Sequence, residues 1–218
     1  MWTGMGLKYA YDSSDPGRTA VSILGWLARH RGKTPRCLLC NEDLVVKGER
    51  SLQVDCYFSH QMNSSCPTIS SKSPTSYILN AQMSPGASHA SRDYARENIL
   101  GVYIAMRGLE KGVGWLDLEK ACDVAKQKKV WDLVGITPEF IPAILLSCLD
   151  AWTPRGSTGL VAYFLEPSAT PGSHWNFGGA KKTKLYEVDM KTGDIKIHPI
   201  GMKQPKSNLI SRIEKLLI

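Results

Sequence analysis

The hydrophobic positions of this chain change period several times, and the changes divide it. Leu7–Tyr11 alternates and predicts a short strand, followed by a dense turn signal at Asp12–Gly17. Asp15 and Pro16 fit an N-cap and a first-turn proline. They predict a helix through Trp26 and Leu27 to Gly32, although Thr19–Ile23 would also pass as a strand. Alternation returns at Leu44–Lys47 and at Leu52–His60, where Leu52, Val54, Cys56 and Phe58 share one face. This predicts two or three short strands joined by Lys47-Gly48-Glu49. Residues 67–88 then break the pattern with Ser, Pro and Thr. The apolar island Tyr77–Leu79 inside that stretch predicts that part of it docks on a core.

Helical spacing follows. Tyr94, Ala95, Leu100, Val102, Tyr103, Met106 and Leu109 predict a helix from Ser88 or Ser91 to Gly112. A second runs from Leu116 to Leu133, with Leu118, Ala121, Cys122, Ala125 and Val130 inward and Lys126, Lys128 and Lys129 outward. Thr137 as N-cap and Pro138 at the first helical position open a short apolar helix to Trp152. The period then falls to two. Leu160–Leu165 predicts a strand, and Lys184–Met190 with Asp194–His198 predicts a hairpin across Lys191-Thr192-Gly193. A long polar loop, Pro167–Lys182, lies between them, and an amphipathic helix, Ser207–Ile218, closes the chain.

The cysteines add chemistry to this pattern. Four of the six, with one of the five histidines, fall between Cys37 and Cys66. A Cys-x2-Cys turn, a hairpin-length insert and a second His/Cys pair are what a tetrahedral metal site needs, because two local pairs can converge with little loop strain. A disulfide framework is the competing reading, but Met1–Tyr11 has neither the charged start nor the apolar run of a signal peptide. Five candidates compete for four positions. In a straight strand Cys56 and His60 would stand roughly 13 Å apart, too far to share one ion. The expected set is therefore Cys37, Cys40, His60 and Cys66, holding a structural Zn2+. Cys56 is read as a buried thiol and as the alternative ligand, and Cys122 and Cys148 as core residues.

The fold class expected is α+β: an N-terminal zinc ribbon, a central helical layer, and a C-terminal β-hairpin region with a terminal helix. The divisions fall at 1–67, 68–88 (a linker) and 89–218. Four segments, Cys37-Leu-Leu-Cys40, Leu44-Val-Val-Lys-Gly48, Tyr57-Phe-Ser-His60 and Cys66-Pro67, together resemble the zinc-ribbon region of the competence protein CoiA-like family. Tyr57 stands where that family usually has His, and Leu38 where it has Pro. The resemblance implies the ribbon, a link to the handling of DNA, and a nuclease-like domain after the ribbon. The family's signature near His89 has no counterpart here and is not carried over.

Charge bears on partners. Twenty-seven Lys and Arg against twenty Asp and Glu give a formal charge of +7 over 218 residues, which favours a polyanion such as nucleic acid. Arg29, Arg31, Lys33 and Arg36 precede the first cysteine of the cluster. With Trp175, Lys181 and Lys182 in the long loop they are the expected nucleic-acid contacts: lysines and arginines on phosphate, the Trp stacked on a base. A solvated helix end is the plainer reading of the first group, and an ordinary loop with a tucked-in Trp that of the second. His89, Arg92 and Arg96 share a helix face that is either a phosphate-facing patch or a solvated helix start.

The sequence assigns no catalytic residue. A metal-dependent nuclease would use Glu187, Asp189 and Lys191 with Glu166, but Asp189-x-Lys191 is also an ordinary hairpin head. No Ser-His-Asp pattern, phosphate-binding glycine loop or His-Glu-x-x-His occurs. The sequence thus reads as a zinc-stabilised nucleic-acid-binding protein in DNA processing. The alternatives are an inhibitor or interaction module of a mobile element docking on an acidic protein, and a Mg2+-dependent nuclease. Cysteine usage points to a reducing, cytoplasmic setting, and no run reaches the roughly 18 apolar residues of a membrane span.

Overall fold

Two apolar clusters meet on opposite faces of one small sheet, and that sheet organises the computed structural model of the protein. Residues 6–51, 53–62, 64, 66, 68–69, 82–166 and 184–200 are described. Over them the architecture is mixed α+β, with five α-helices and three small antiparallel sheets.

The first sheet has β1 (Tyr9–Asp12) between β2 (Val21–Ser22) and β3 (Pro35–Arg36). Between β2 and β3 lies α1 (Ile23–Arg29). The helix expected to begin at Pro16 starts seven residues later, at Ile23, because the Asp15 carboxylate closes a turn instead. It accepts from the Gly17 and Thr19 amides, both at 2.7 Å. Val21 pairs with Ala10 in β1, so the strand reading of Thr19–Ile23 holds for Val21 and Ser22 alone. Ser22 is the actual N-cap, accepting from the Gly25 amide at 3.2 Å.

The second sheet is a hairpin of β4 (Leu44–Lys47) and β5 (Tyr57–His60). The strand expected over Leu52–His60 is shorter than its alternation suggested: Val54 is 55 % exposed, and only Tyr57–His60 pairs. Gly48 takes φ +85° beside the backbone of Asp55 and Cys56, a conformation and an approach that a Cβ would obstruct. Phe58 links the hairpin to the first sheet by exchanging backbone hydrogen bonds with Leu7 at 2.8 and 2.9 Å.

The helical layer comprises α2 (His89–Glu97), α3 (Ile99–Leu109), α4 (Trp115–Gln127) and α5 (Ile141–Cys148). The single helix expected up to Gly112 is two. They part at Asn98, whose side-chain amide donates to the Tyr94 carbonyl at 3.0 Å, competing with the helical ladder. The helix expected to reach Leu133 ends at Gln127, and a 3-10 turn, Val130–Asp132, follows. Thr137 heads a second 3-10 turn, Pro138–Phe140, but does not cap it. Its hydroxyl is buried without a hydrogen-bond partner among the described residues. All eight residues of α5 are buried, and it packs on α3, α4 and the third sheet. Cys148 is buried in this core and Cys122 packs against it, as expected.

The third sheet runs β6 (Val161–Leu165), β7 (Lys184–Asp189), β8 (Ile195–Pro199), all antiparallel. Val161, Tyr163, Leu165 and Leu185 face the helical core, while Ala162, Phe164, Tyr186 and Val188 join the cluster around Leu7, Trp26, Leu38 and Phe58. The unbroken apolar run of β6 follows from this: a strand covered on both faces has no polar side to present. Tyr163 keeps a polar tip inside, donating to the Glu110 carboxylate at 2.8 Å. Residues 82–88 of the Ser/Pro-rich stretch are tied to the 3-10 turn, through Ser84 N to Asp132 O (2.7 Å) and Ser88 Oγ to Leu133 O (2.7 Å). Tyr77–Leu79, the loop Pro167–Lys182 and Ser207–Ile218 lie outside the described residues.

Asp12, at the end of β1, is nearly enclosed and gathers Lys33 Nζ (2.5 Å), Ser14 Oγ (2.7 Å) and His30 Nδ1 (3.1 Å). The hydrogen bond from Lys33, followed by those from Ser14, holds its carboxyl well below its ordinary 3.8. A folded-state value below the unfolded one contributes stability that is complete at neutral pH and is lost as pH falls below about 4. Asp12→Asn is therefore expected to be less stable than the wild type near neutrality and to flatten the acid limb of a stability-versus-pH curve. Parallel curves for the two proteins would show that Asp12 contributes nothing to acid sensitivity.

Candidate metal centre

Cys37 leaves β3 into a tight knuckle. Asn41 N donates to Cys37 O at 3.0 Å and Cys37 N to Glu42 O at 2.9 Å, with Asn41 in the left-handed region at φ 64°. Asn tolerates that region better than most residues, because its short side chain bonds locally. Here its Oδ1 accepts from the Tyr11 hydroxyl at 3.2 Å. The knuckle aims Cys37 and Cys40 at one point. Leu38 and Leu39 between them are fully buried, so the turn is anchored by apolar packing as well as by hydrogen bonds.

The second pair comes from the end of β5 and the turn beyond it. His60 lies opposite Leu44 in the hairpin register. Ser64 donates to the Glu42 carboxylate and accepts from the Cys66 amide at 3.1 Å, tying the returning chain to the knuckle. Cys37 Sγ and Cys66 Sγ are then 3.9 Å apart, and Cys40 Sγ lies 3.4 Å from His60 Nε2. All four ligand atoms lie within 4.8 Å of one another. Tetrahedral metal–sulfur and metal–nitrogen bonds of about 2.0–2.3 Å give edges of about 3.3–3.8 Å, so the cluster needs little contraction to hold an ion. A disulfide does not form: 3.9 Å is far beyond a bonded sulfur pair of about 2.05 Å, and all six cysteines are free.

The electrostatics of the cluster favour a cation. Hydrogen bonds from Cys37 and Cys40 hold the Cys66 thiol far below the ordinary range, with His60 adding to the effect. Burial, then hydrogen bonds with Cys40 and Cys66, push Cys37 far up. Cys40 is also raised: its hydrogen bond with Cys37 lowers it, but the bond to Cys66, burial and Coulomb repulsion together outweigh that. One thiolate disfavours ionisation of its neighbours, and a divalent ion beside them would oppose that repulsion. The Leu39 amide (3.4 Å from Cys37 Sγ) and the buried Thr68 hydroxyl (3.1 Å from Cys66 Sγ) support the sulfurs from outside.

All four expected ligands converge, and Cys56 is not among them. It is half-buried before β5 begins, rather than the buried strand thiol that the alternation implied. The supporting residues Asn41, Glu42, Ser64 and Thr68 were not legible in advance. The one available signal was an Asn directly after a Cys-x2-Cys turn.

The basic run before the knuckle is divided in the fold. Lys33 is held by Asp12, and Arg36 pairs with Asp43 at 2.9 Å. His30 stacks on Trp26 with ring centroids 5.0 Å apart. Arg29 and Arg31 are exposed. Arg31 and Lys33 share a concavity of about 610 Å3 with Arg50 and Trp26, and Glu49 is the carboxylate that lines it. Arg50 was not anticipated, because the hairpin brings it across from the far side of Gly48. Trp175, Lys181 and Lys182 lie outside the described residues.

The carboxylates considered for a nuclease do not gather. Glu166 accepts from the Tyr186 hydroxyl at 3.2 Å, and Glu187 pairs with His198 at 2.6 Å and Lys196 at 3.1 Å. Asp189 closes its own turn, accepting from the amides of Lys191 and Thr192 at 2.8 Å each. Among the described residues, Cys37, Cys40, His60 and Cys66 form the one group of three or more His, Cys, Asp or Glu whose ligand atoms converge. No helix among the described residues is long and apolar enough to cross a membrane. Comparison with family models, with curated proteins and with solved structures finds no match to this chain.

Proposed function

We propose that this chain is a nucleic-acid-binding protein of DNA processing whose N-terminal part is a zinc ribbon held by a structural ion. The convergence of three sulfurs and one imidazole nitrogen at near-tetrahedral spacing carries the reading. That donor set suits zinc, and four protein ligands leave no open position for a reacting water. Ligation would draw Cys37, Cys40, His60 and Cys66 together and fix β3, the knuckle and the hairpin relative to one another. The ion's part is mechanical. It would hold rigid the concave surface on which Arg31 and Arg50, unlike the Asp12-bound Lys33, can meet a phosphate backbone without first ordering the chain. The overall charge of +7 supports the same polyanionic partner.

The test is a titration of the zinc-loaded protein onto labelled single- and double-stranded DNA, with and without Mg2+, at several salt concentrations. Binding without cleavage is expected, and it should weaken with salt. In the double variant Arg31→Ala/Arg50→Ala the log–log salt slope on duplex DNA should become shallower by about 0.9 for each phosphate contact removed. Absence of binding at low salt would overturn the proposal and favour an acidic protein partner. Cleavage that requires Mg2+ would overturn the purely binding role.

A further inference from the structure

A second concave site lies in the helical layer, away from the metal cluster. We propose that the cleft between α2, the end of α4 and the 3-10 turn Val130–Asp132 binds a nucleoside phosphate unit, with its phosphate on a cationic rim and its base on an apolar floor. The choice of a nucleotide over other phosphorylated ligands rests on the nucleic-acid reading above. The cleft itself does not.

The cavity measures about 670 Å3, within the range of small-ligand sites. Five basic side chains line it: His89, Arg92 and Arg96 from α2, Lys126 from α4, and Lys129 just beyond its end. Arg92 is engaged by Asp93 at 3.2 Å, but Arg96, Lys126 and Lys129 make no ion pair with another described residue. Asp132 is the lining carboxylate, and its Oδ1 accepts from the Gly86 amide at 2.8 Å. Basic side chains lining one cavity with a single lining carboxylate make a positive rim that a phosphate can neutralise through charge-assisted hydrogen bonds. The floor is of another kind: Ile99, Cys122 and Trp131 offer apolar and aromatic surface on which a base can lie, with the fully buried Leu145 beneath them.

Two further observations separate this cleft from a solvated helix end. The backbone of Lys129 sits in the left-handed region, at φ 53° and ψ 40°, directly after the last turn of α4. Helices commonly place Gly at that position, because any side chain there is strained. A lysine kept at a strained position on the rim of a cavity fits a functional demand on its side chain. The wall is also built before any ligand arrives. Ser88 Oγ donates to Leu133 O at 2.7 Å and Ser91 Oγ to Ile136 O at 2.6 Å, holding α2 against the chain beyond the turn.

Lys129→Gly is the informative variant, because it removes a rim cation while relieving backbone strain. With the zinc-loaded full chain, binding is measured for a labelled single-stranded oligonucleotide and for adenosine 5′-monophosphate, with thermal melting alongside. Lys129→Gly and Arg96→Ala are each expected to weaken oligonucleotide binding by about tenfold, the loss of a charge-assisted hydrogen bond. The melting temperature of Lys129→Gly should not fall below that of the wild type. If the wild type binds the oligonucleotide and both variants bind it equally well, the cleft proposal is overturned while the nucleic-acid reading stands. If the wild type binds the monophosphate but no oligonucleotide, and Lys129→Gly weakens it, the cleft is upheld and the nucleic-acid reading falls. If it binds neither, both fall. Should Lys129→Gly not fold, Arg96→Ala on its exposed helix face decides the cleft by the same readouts.

Discussion

Removing the metal is expected to unfold the N-terminal region, and replacing Cys37 with serine is expected to do the same. Cys37 and Cys66 are fully buried, as are Leu38, Leu39 and Phe58 around them. The two β-hairpin strands and the knuckle contribute few residues of regular structure, so the ligand bonds supply what the small core cannot. Structural zinc contributes about 10–16 kcal/mol of apparent binding free energy to small modules at neutral pH. The whole folding free energy of a domain is about 5–15 kcal/mol, so loss of the ion exceeds what local packing can offset. The measurement is zinc content by mass spectrometry together with the circular dichroism of wild type, Cys37→Ser and Cys56→Ser, before and after a chelator. One equivalent of zinc is expected in wild type and Cys56→Ser, and none in Cys37→Ser. If Cys56→Ser lost zinc as completely as Cys37→Ser, the ligand set would be wrong. If chelation left the fold unchanged, the ion would not be structural.

Phe164→Ala is expected to destabilise the protein by about 3–5 kcal/mol, as large aromatic truncations in closed cores do. Phe164 is 1 % exposed on β6 and faces the cluster that contains the candidate ligands Cys37 and Cys66, across the strand from Tyr186. Its neighbours belong to separate elements, so a cavity there cannot close by a single side-chain movement. For a chain of this size that loss corresponds to a fall in melting temperature of about 6–20 °C. Ile197→Ala serves as the control: Ile197 is 40 % exposed on β8 and should cost far less. Urea denaturation of both variants checks the contrast. A Phe164→Ala protein within about 1 kcal/mol of wild type would mean that the sheet does not join the two cores energetically.

Much of the Cys/His cluster was legible before the fold, for a simple reason. Ligand identity depends on donor chemistry and local spacing, both of which are written along the chain. The exclusion of Cys56 was reached from a longer strand than exists. The strand spacing used for the exclusion does not describe Cys56, because Gly48 turns the chain early and only Tyr57–His60 pairs. Element types were read well where the period was sustained, as in Lys184–Asp189 and Trp115–Gln127. Boundaries were read poorly where a polar side chain had two possible uses. Asp15 could cap a helix or close a turn, and Asn98 could continue a helix or break it. The choice fell to contacts made elsewhere, such as the pairing of Val21 with Ala10.

Two features belonged to the tertiary structure alone. The basic residues before Cys37 form a uniform run in sequence. Asp12 lies 21 residues before Lys33, Asp43 seven residues after Arg36, and both remove cations from that run. Likewise, His89, Arg92 and Arg96 were visible as one helix face, and Lys126, Lys128 and Lys129 as another; of the latter, Lys126 and Lys129 line the cavity. They line one cavity with Trp131 because α2 packs against the 3-10 turn that follows α4, held there by Ser88 and Ser91 bonding across some 45 residues. The sequence by itself determined the ligand chemistry, the α+β composition and the unbroken apolar run of β6. Only the fold decided which charges remain free and which helix faces share a cavity, because both depend on distances between residues far apart in the chain, and periodicity reports only on near neighbours.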